Sequence, residues 1–169
     1  MKKTAALKVT TPHDREIVMT RDFDAPRGLV WDFMTQPPLL KRWLFGPSGW
    51  SLVDCEIDLK VGGVFRYLWH GPDEITMAMH GVFRELIRPE RIVHTESFEF
   101  GCDAQAGEQV VTLVLTERGS GTTLRLSALY PSKEARDATI ASGMEQGVAA
   151  GYDRLDGLLA VTPARTAGP

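Results

Sequence analysis

Two residues that can exchange protons, His94 and Glu96, stand two positions apart in a stretch with the alternation of a β-strand. Side chains two apart in a strand share a face, and this face also carries the apolar Ile92 and Phe98. An imidazole and a carboxylate on an apolar wall could act as an acid–base pair or orient the polar end of a ligand. The alternative is that the pair is exposed, or buried with its hydrogen bonds satisfied by ordinary neighbours.

A second group of polar residues surrounds the predicted hairpin at Gly71-Pro72-Asp73: His70, Asp73, Glu74 and His80. It lacks the His-x-x-His, His-Glu-x-x-His and paired-cysteine spacings of metal sites, so we expect exposed hairpin residues and no metal. The chain also lacks a Gly-x-Ser-x-Gly motif and a dinucleotide fingerprint, and we expect no cofactor.

Aromatic residues form a third group: Trp31, Trp43, Phe45, Trp50, Tyr67, Trp69 and Tyr152. Core packing accounts for most of such a set, although aromatic side chains that line a cavity also bind flat or apolar ligands. Trp43, on a predicted short helix, and Tyr152, on the predicted terminal helix, are the best ligand-binding candidates.

The element that must position these residues is the segment Pro131 to Ala160, predicted as one long helix with Ser132 as its N-cap. Its apolar residues recur at steps of three and four and form one face: Met144, Val148, Tyr152, Leu155 and Leu159. Gly143, Gly147 and Gly151 add a row of small residues beside that face. The row indicates either close packing against a sheet or space left for a ligand.

Strands must cover the apolar face of this helix. After a first strand at Glu16 to Phe23 come two short helices that begin near Asp24 and Pro37. Six further strands with short links follow: Trp50 to Leu59, Gly63 to His70, Ile75 to Ile87, Arg91 to Phe100, Gln109 to Glu117 and Thr122 to Tyr130. The predicted fold is α+β, a seven-stranded antiparallel sheet curled around the terminal helix, with the short helices closing one end.

Composition bounds the remaining possibilities. The 169 residues predict one domain at 16–160, a flexible arm at 1–15 and a flexible tail at 161–169. A net charge of −3 gives no case for nucleic acid, and no apolar run is long enough to insert in a membrane. The N-terminus imitates a secretory signal, but polar residues from Lys8 onward interrupt it. Two cysteines, Cys55 in a strand and Cys102 in a loop, fit a buried and an exposed thiol in a reducing cytoplasm.

Seven local motifs occur in an order that resembles a known family. They are Phe23-Asp24-Ala25-Pro26, Leu40-Lys41-Arg42-Trp43 before Gly46-Pro47, Asp58 to Gly63, Gly81 to Leu86, Pro89 to Val93, Gly121 to Leu124, and Gly143 to Gly147. The chain resembles the START-like superfamily, whose architecture is the helix-grip fold, and within it the activator of heat-shock-protein-90 ATPase homologue family. The resemblance covers roughly Glu16 to Leu159. Where the family usually has tryptophan this chain has Val148, and the link from Trp43 to Gly46 is one residue longer.

The resemblance implies a binder of apolar molecules. We expect a small apolar ligand between sheet and terminal helix, contacted by Trp43, Trp69, His94, Glu96, Phe98, Val148, Gly151 and Tyr152. A non-catalytic role is favoured over a cyclase- or hydrolase-type enzyme that uses His94 and Glu96. A protein-interaction module is the other alternative. Co-chaperone activity belongs to family members with an additional N-terminal domain, so a chaperone partner is not expected, whereas an exposed sheet edge leaves a homodimer open.

Overall fold

One antiparallel sheet organises the chain. The computed structural model describes residues 6–46, 48–100, 103–104 and 107–163. Within them the strands are β1 Lys8–Thr10, β2 Glu16–Phe23, β3 Ser51–Ile57, β4 Val64–His70, β5 Thr76–Ile87, β6 Arg91–Phe100, β7 Asp103–Ala104, β8 Gln109–Arg118 and β9 Gly121–Leu129. Their order across the sheet is β1-β2-β9-β8-β6-β5-β4-β3, and the two-residue β7 pairs with β6. Strands β1 and β3 therefore form the two edges.

All seven predicted strands are present, but the predicted number of strands is too low. One of the two additional strands, β1, pairs with β2 through Val9 and Met19. It lies inside the arm that was expected to be flexible. A short segment can pair with an exposed strand edge even when its own sequence does not alternate strongly, so the sequence pattern did not predict it. The expectations for residues 1–5, Cys102 and residues 164–169 fall outside the described residues.

Two short helices follow β2, as predicted. They are α1, Arg27–Thr35, and α2, Pro37–Leu40. Proline at the start of α2 fits the first turn of a helix, where its missing N–H would have no partner. The Trp43 indole N–H donates to the Phe33 carbonyl at 2.9 Å, which fixes the turn after α2 against the end of α1.

The terminal segment differs from the prediction of one long helix. Its two helices are α3, Lys133–Ala141, and α4, Met144–Val161. Ser132 caps α3 as predicted, with the Ala135 N–H donating to its hydroxyl at 3.0 Å. The break occurs at Gly143, whose φ of +79° is left-handed and stops the α-helical path. One glycine of the row therefore separates two helices instead of lining one.

The apolar interior consists of two clusters. The large cluster joins residues from most strands with α1 and α4, including Phe23, Phe65, Tyr67, Tyr152 and Leu155. The small cluster contains Ile17, Met19, Val111, Ala128 and Tyr130. Leu7, Leu126 and Val148 pack against both clusters and mark their boundary.

Candidate functional site

His94 lies on the inner face of β6, as its spacing predicted. Its ring meets those of Phe65 and Phe83 edge-on, with centroids 5.0 and 6.1 Å away. The Nδ1 atom is 3.1 Å from the Thr95 carbonyl oxygen. Burial lowers the pKa of His94, and this hydrogen bond opposes the effect only in part, so the neutral imidazole is favoured.

Glu96 follows on the same face and is the most perturbed acid in the described chain. Its side chain is partly accessible, yet burial raises the pKa of Glu96 from its ordinary 4.5 to about 8. Both properties belong to a side chain that is surrounded mainly by protein but keeps some surface in contact with solvent. Near pH 7 the carboxyl group is mainly protonated and can donate a hydrogen bond.

Three tyrosines lie within reach of the Glu96 charge. They come from three separate elements: Tyr67 on β4, Tyr130 directly after β9, and Tyr152 on α4. Burial is the main reason that their pKa values are raised, to about 12 for Tyr130, and the Glu96 carboxylate contributes in each case. Tyr67 and Tyr152 belong to the large cluster and Tyr130 to the small one, which locates Glu96 at their boundary.

Three of these polar groups have no hydrogen bond to any described residue: the Glu96 carboxyl and the hydroxyls of Tyr67 and Tyr152. Among the described residues, only Arg21 has fully buried side-chain nitrogen or oxygen atoms without a hydrogen-bond partner. The three groups are therefore unpaired but not sealed off, and each retains surface that a water molecule could reach. Unpaired polar tips in an otherwise apolar interior are typical of a ligand site.

Arg21 is the buried cation of this region, and sequence reasoning missed it. It is 2% exposed and extends from β2 toward α4, where Nη1 donates to Asp153 Oδ1 at 2.8 Å. Its Nη2 lies 3.8 Å from Asp156 Oδ2, and its charge lowers the pKa of Tyr152 against the larger effect of burial. The signal was present in β2, where Ile17, Met19, Arg21 and Phe23 alternate on one face.

The predicted aromatic candidates are buried, and their rings and indole N–H groups contact other residues of the protein. The Trp69 indole N–H donates to the Leu44 carbonyl at 2.9 Å, much as Trp43 donates to Phe33. Trp43 and Tyr152 pack with centroids 5.8 Å apart, and a Cβ at Gly151 would lie 3.7 Å from the Trp43 ring. The Gly151 distance is ordinary van der Waals contact and a Cβ at Gly147 would meet nothing within 4 Å, so close packing requires glycine at neither position.

Most of the predicted binding residues belong to the large cluster or border it. Phe98 and Val148 are partly buried and pack against the large cluster that contains Trp43, Trp69 and Tyr152. His94 and Glu96 share the inner face of β6. However, no hydrogen bond or ion pair joins His94 to Glu96 among the described contacts, so the two do not form a coupled acid–base pair in this conformation.

The polar residues around the hairpin lie on the surface, and His80 on β5 pairs with Ser97, the residue after Glu96 on β6. His70, Asp73, Glu74 and His80 are exposed, as expected, and His80 Nε2 is 3.5 Å from Glu99 Oε1. In the described part of the chain, no three His, Cys, Asp or Glu residues are grouped so that they could hold a metal ion. Cys55 is a buried free thiol, as predicted, and burial raises its pKa to about 11.

A curved antiparallel sheet that grips a C-terminal helix, with an inner face carrying a few polar tips, defines a START-like helix-grip protein. Residues 24–160 match the family described as "Activator of Hsp90 ATPase homolog 1-like protein", and the chain belongs to that family.

Solved structures agree with this assignment. A crystal structure of a Rhodobacter sphaeroides protein is 32% identical, with a TM-score of 0.85 over 93% of this chain and 99% of that one. A Mycobacterium smegmatis crystal structure is 23% identical, with a TM-score of 0.79 over 94% and 99% of the two chains. An Arthrobacter aurescens solution structure is 21% identical, with a TM-score of 0.79 over 96% and 98%. The last two are similar in fold alone.

None of the curated proteins matches the chain. Among the described residues, no helix has both the length and the apolar character needed to cross a bilayer.

Proposed function

We propose that the protein binds a small, largely apolar molecule that carries a hydrogen-bonding group. The ligand lies between the sheet and α4, at the boundary of the large and small clusters. The observation that supports this proposal is the set of three unpaired but accessible groups, Glu96, Tyr67 and Tyr152, in an otherwise apolar interior.

The energetic argument is one of unmet hydrogen bonds. A polar group removed from water without a new partner costs about 1–3 kcal/mol, so native interiors contain few of them. A ligand whose polar end pairs with these groups offsets that cost, and burial of its apolar body contributes about 25 cal/mol per Å². Without a ligand, these polar groups have no hydrogen-bond partner in the described protein, and the apolar surface around them stays uncovered.

Binding without catalysis is favoured over the acid–base alternative. No described hydrogen bond or ion pair joins His94 to Glu96, so the two do not share a proton as an acid–base pair would. The Thr95 carbonyl, which accepts from His94 Nδ1, leaves Nε2 as the proton acceptor of the neutral ring, so the missing link to Glu96, and not this contact, disfavours the acid–base alternative. The chaperone ATPase named in the family description has no part in the proposal.

Native mass spectrometry of the protein purified without denaturation tests the proposal. Val148 packs against both clusters, so Val148→Trp, the residue usual in the family, would fill their boundary. Val161→Trp is the matched control, because Val161 is 76% exposed at the end of the same helix. We expect a stoichiometric apolar adduct on the wild type and on the control but not on Val148→Trp. An adduct on all three, or no adduct together with no thermal shift against apolar compounds, would contradict the proposal.

A second candidate function, contact with another copy of this chain, is supported by the outer face of the sheet. Val64 and Val82 lie opposite each other on β4 and β5 and are 62% and 38% exposed. A contiguous exposed apolar surface favours a protein contact, and these two valines are direct cross-strand neighbours. Sedimentation equilibrium should give a dimer that Val64→Lys with Val82→Lys converts to a monomer; a wild-type monomer at all concentrations rejects this candidate.

A further inference from the structure

We propose that the interior opens between α4 and residues 43–46, here called the entrance segment, and that Arg154 holds this entrance closed. The entrance segment follows α2, and the ring of its Trp43 packs against Tyr152 of α4 with centroids 5.8 Å apart. Both residues are buried, so nothing passes between them while the entrance is closed. This entrance rests on the proposed function, since it is the route by which a ligand reaches the interior.

The entrance segment is firmly attached on the sides that face away from α4. The Trp43 indole N–H donates to the Phe33 carbonyl of α1, and the Trp69 indole N–H of β4 donates to the Leu44 carbonyl, both at 2.9 Å. The Leu44 N–H donates to the Leu40 carbonyl of α2, also at 2.9 Å. This distance is the usual one for an N–H···O hydrogen bond, and both tryptophans are buried. We expect these contacts to persist when the entrance opens.

The attachment to α4 depends on one side chain. Among the described residues, every hydrogen bond from α4 to the entrance segment comes from Arg154, which donates to the Trp43 carbonyl at 3.4 Å and to the Gly46 carbonyl at 3.3 Å. Its guanidinium also lies over the Phe45 ring, 4.9 Å from the centroid. Hydrogen bonds of this length are weaker than those at 2.9 Å, and the partly exposed guanidinium can exchange them for bonds to water.

The contrast between these attachments indicates where the interior opens. Separating the entrance segment from α1 or β4 breaks the short hydrogen bonds of two buried indoles. Separating it from α4 breaks only the long bonds of Arg154 and the packing of Trp43 on Tyr152. Gly151 lies at the same contact, where a Cβ would be 3.7 Å from the Trp43 ring, so no side chain at this position adds to the closure. The side toward α4 therefore opens at the lower cost.

An entrance that is closed most of the time has a kinetic signature. A ligand that passes only through the open form binds and leaves at rates proportional to the open fraction, whereas its equilibrium affinity does not depend on that fraction. Arg154→Met removes the long hydrogen bonds and the contact with the Phe45 ring. We expect this loss to raise the open fraction about tenfold.

Alkylation of a buried thiol measures the opening without any ligand. Gly151→Cys places a thiol beside the Trp43 ring, and peptide mass spectrometry follows its reaction with iodoacetamide. Arg154→Met should speed this reaction about tenfold. Arg27→Met is the matched control, because Arg27 is also partly exposed but pairs with two glutamates, and it should leave the rate unchanged. The natural thiol of Cys55, buried in the large cluster, reports on general loosening and should keep its own rate in every variant.

Stopped-flow binding of N-phenyl-1-naphthylamine, an apolar dye that fluoresces when buried, tests the route for a ligand in a chain without the Gly151 substitution. Arg154→Met should raise the association and dissociation rate constants together by about tenfold and leave Kd within about threefold. Arg154→Lys keeps the charge but lacks the planar group that stacks on Phe45, so it should give intermediate rates. Arg27→Met should leave both rate constants unchanged.

Each other result overturns a stated part of the account. Equal acceleration at Cys55 and at the introduced thiol would mean that Arg154→Met loosens the whole fold, and acceleration at neither would mean that Arg154 does not hold the entrance closed. A weaker Kd with an unchanged association rate would make Arg154 a ligand contact instead. Faster alkylation of the introduced thiol alone, with no dye bound and no adduct in native mass spectrometry, would retain the opening and reject the proposed function.

Discussion

The two halves of α4 pack very differently. In the C-terminal half, Gly151 is buried, and Tyr152, Leu155 and Leu159 belong to the large cluster. In the N-terminal half, Met144 and Val148 are only partly buried, although they continue the same apolar face. The C-terminal half of α4 therefore packs into the core, whereas the N-terminal half is only partly covered. Tyr152, one of the unpaired polar groups, lies at the middle of the helix, where the two halves meet.

The difference shows what an amphipathic pattern does and does not determine. Spacing fixes which side of a helix faces the sheet, but the depth of burial depends on the side chains that come from the sheet. Beneath the C-terminal half these are the rings of Phe23 and Trp43 around Tyr152. Beneath the N-terminal half lies the small cluster, which has fewer and smaller members.

The difference in packing between the two halves of α4 is tested most strongly by truncating one side chain in each half. Leu155 has no exposed surface, so Leu155→Ala should lower the free energy of unfolding by about 3–4 kcal/mol. Met144→Ala, at a partly buried position, should cost less than about 1 kcal/mol. Urea unfolding followed by circular dichroism measures both. Equal costs would mean that the two halves are packed alike.

A second test concerns Glu96, at the boundary between the large and small clusters. The pKa of Glu96 is raised on folding, so its contribution to stability is complete below pH 4.5 and is lost as the pH rises to about 8. Glu96→Gln removes that loss. The 3.5 units between 4.5 and 8 correspond to about 5 kcal/mol, so we expect the variant to be more stable than the wild type by up to about that much at pH 9, and by much less at pH 5. A stability difference that does not change with pH would remove Glu96 from the interior.

The ion pair that holds β2 to α4 should give a smaller and asymmetric effect. Asp153→Ala leaves the buried Arg21 with only the distant Asp156, and should cost about 1–2 kcal/mol. Arg21→Met replaces the cation by an apolar chain of similar length, and should change stability by less than about 1 kcal/mol. Thermal unfolding of both variants and the double variant measures the coupling. A larger loss in Arg21→Met than in Asp153→Ala would show that the guanidinium itself stabilises the fold.

The smallest effects distinguish two glycines at the start of α4. Gly143 has a φ of +79°, so Gly143→Ala should cost about 1 kcal/mol. Gly147 lies inside the helix with open space around it, so Gly147→Ala should gain about 0.5–1 kcal/mol through helix propensity. Shifts of the same sign in chemical denaturation would contradict this division of roles.

Much of the fold could be predicted from the sequence, because alternation and turn residues are local. The seven main strands, the two short helices and the Ser132 cap follow from such signals. The break at Gly143 could not be predicted, since a glycine at that spacing fits a helix interior as well as its end. The strand β1 was missed because it depends on the exposed edge of β2.

The candidate site could be predicted only in part. The spacing of His94 and Glu96 correctly indicated their common inner face. The surroundings of Glu96 could not be derived, because Tyr67, Tyr130 and Tyr152 lie on elements that meet only in the folded sheet. Arg21 was readable from its position among apolar residues of β2, but its partner on α4 was not.

The most direct test of the central claim is a titration of the Glu96 carboxyl carbon by nuclear magnetic resonance. The account predicts a pKa near 8, because burial disfavours the charged carboxylate. A carboxyl that titrates near its ordinary 4.5 would contradict the interior position of Glu96 on which the proposed site depends.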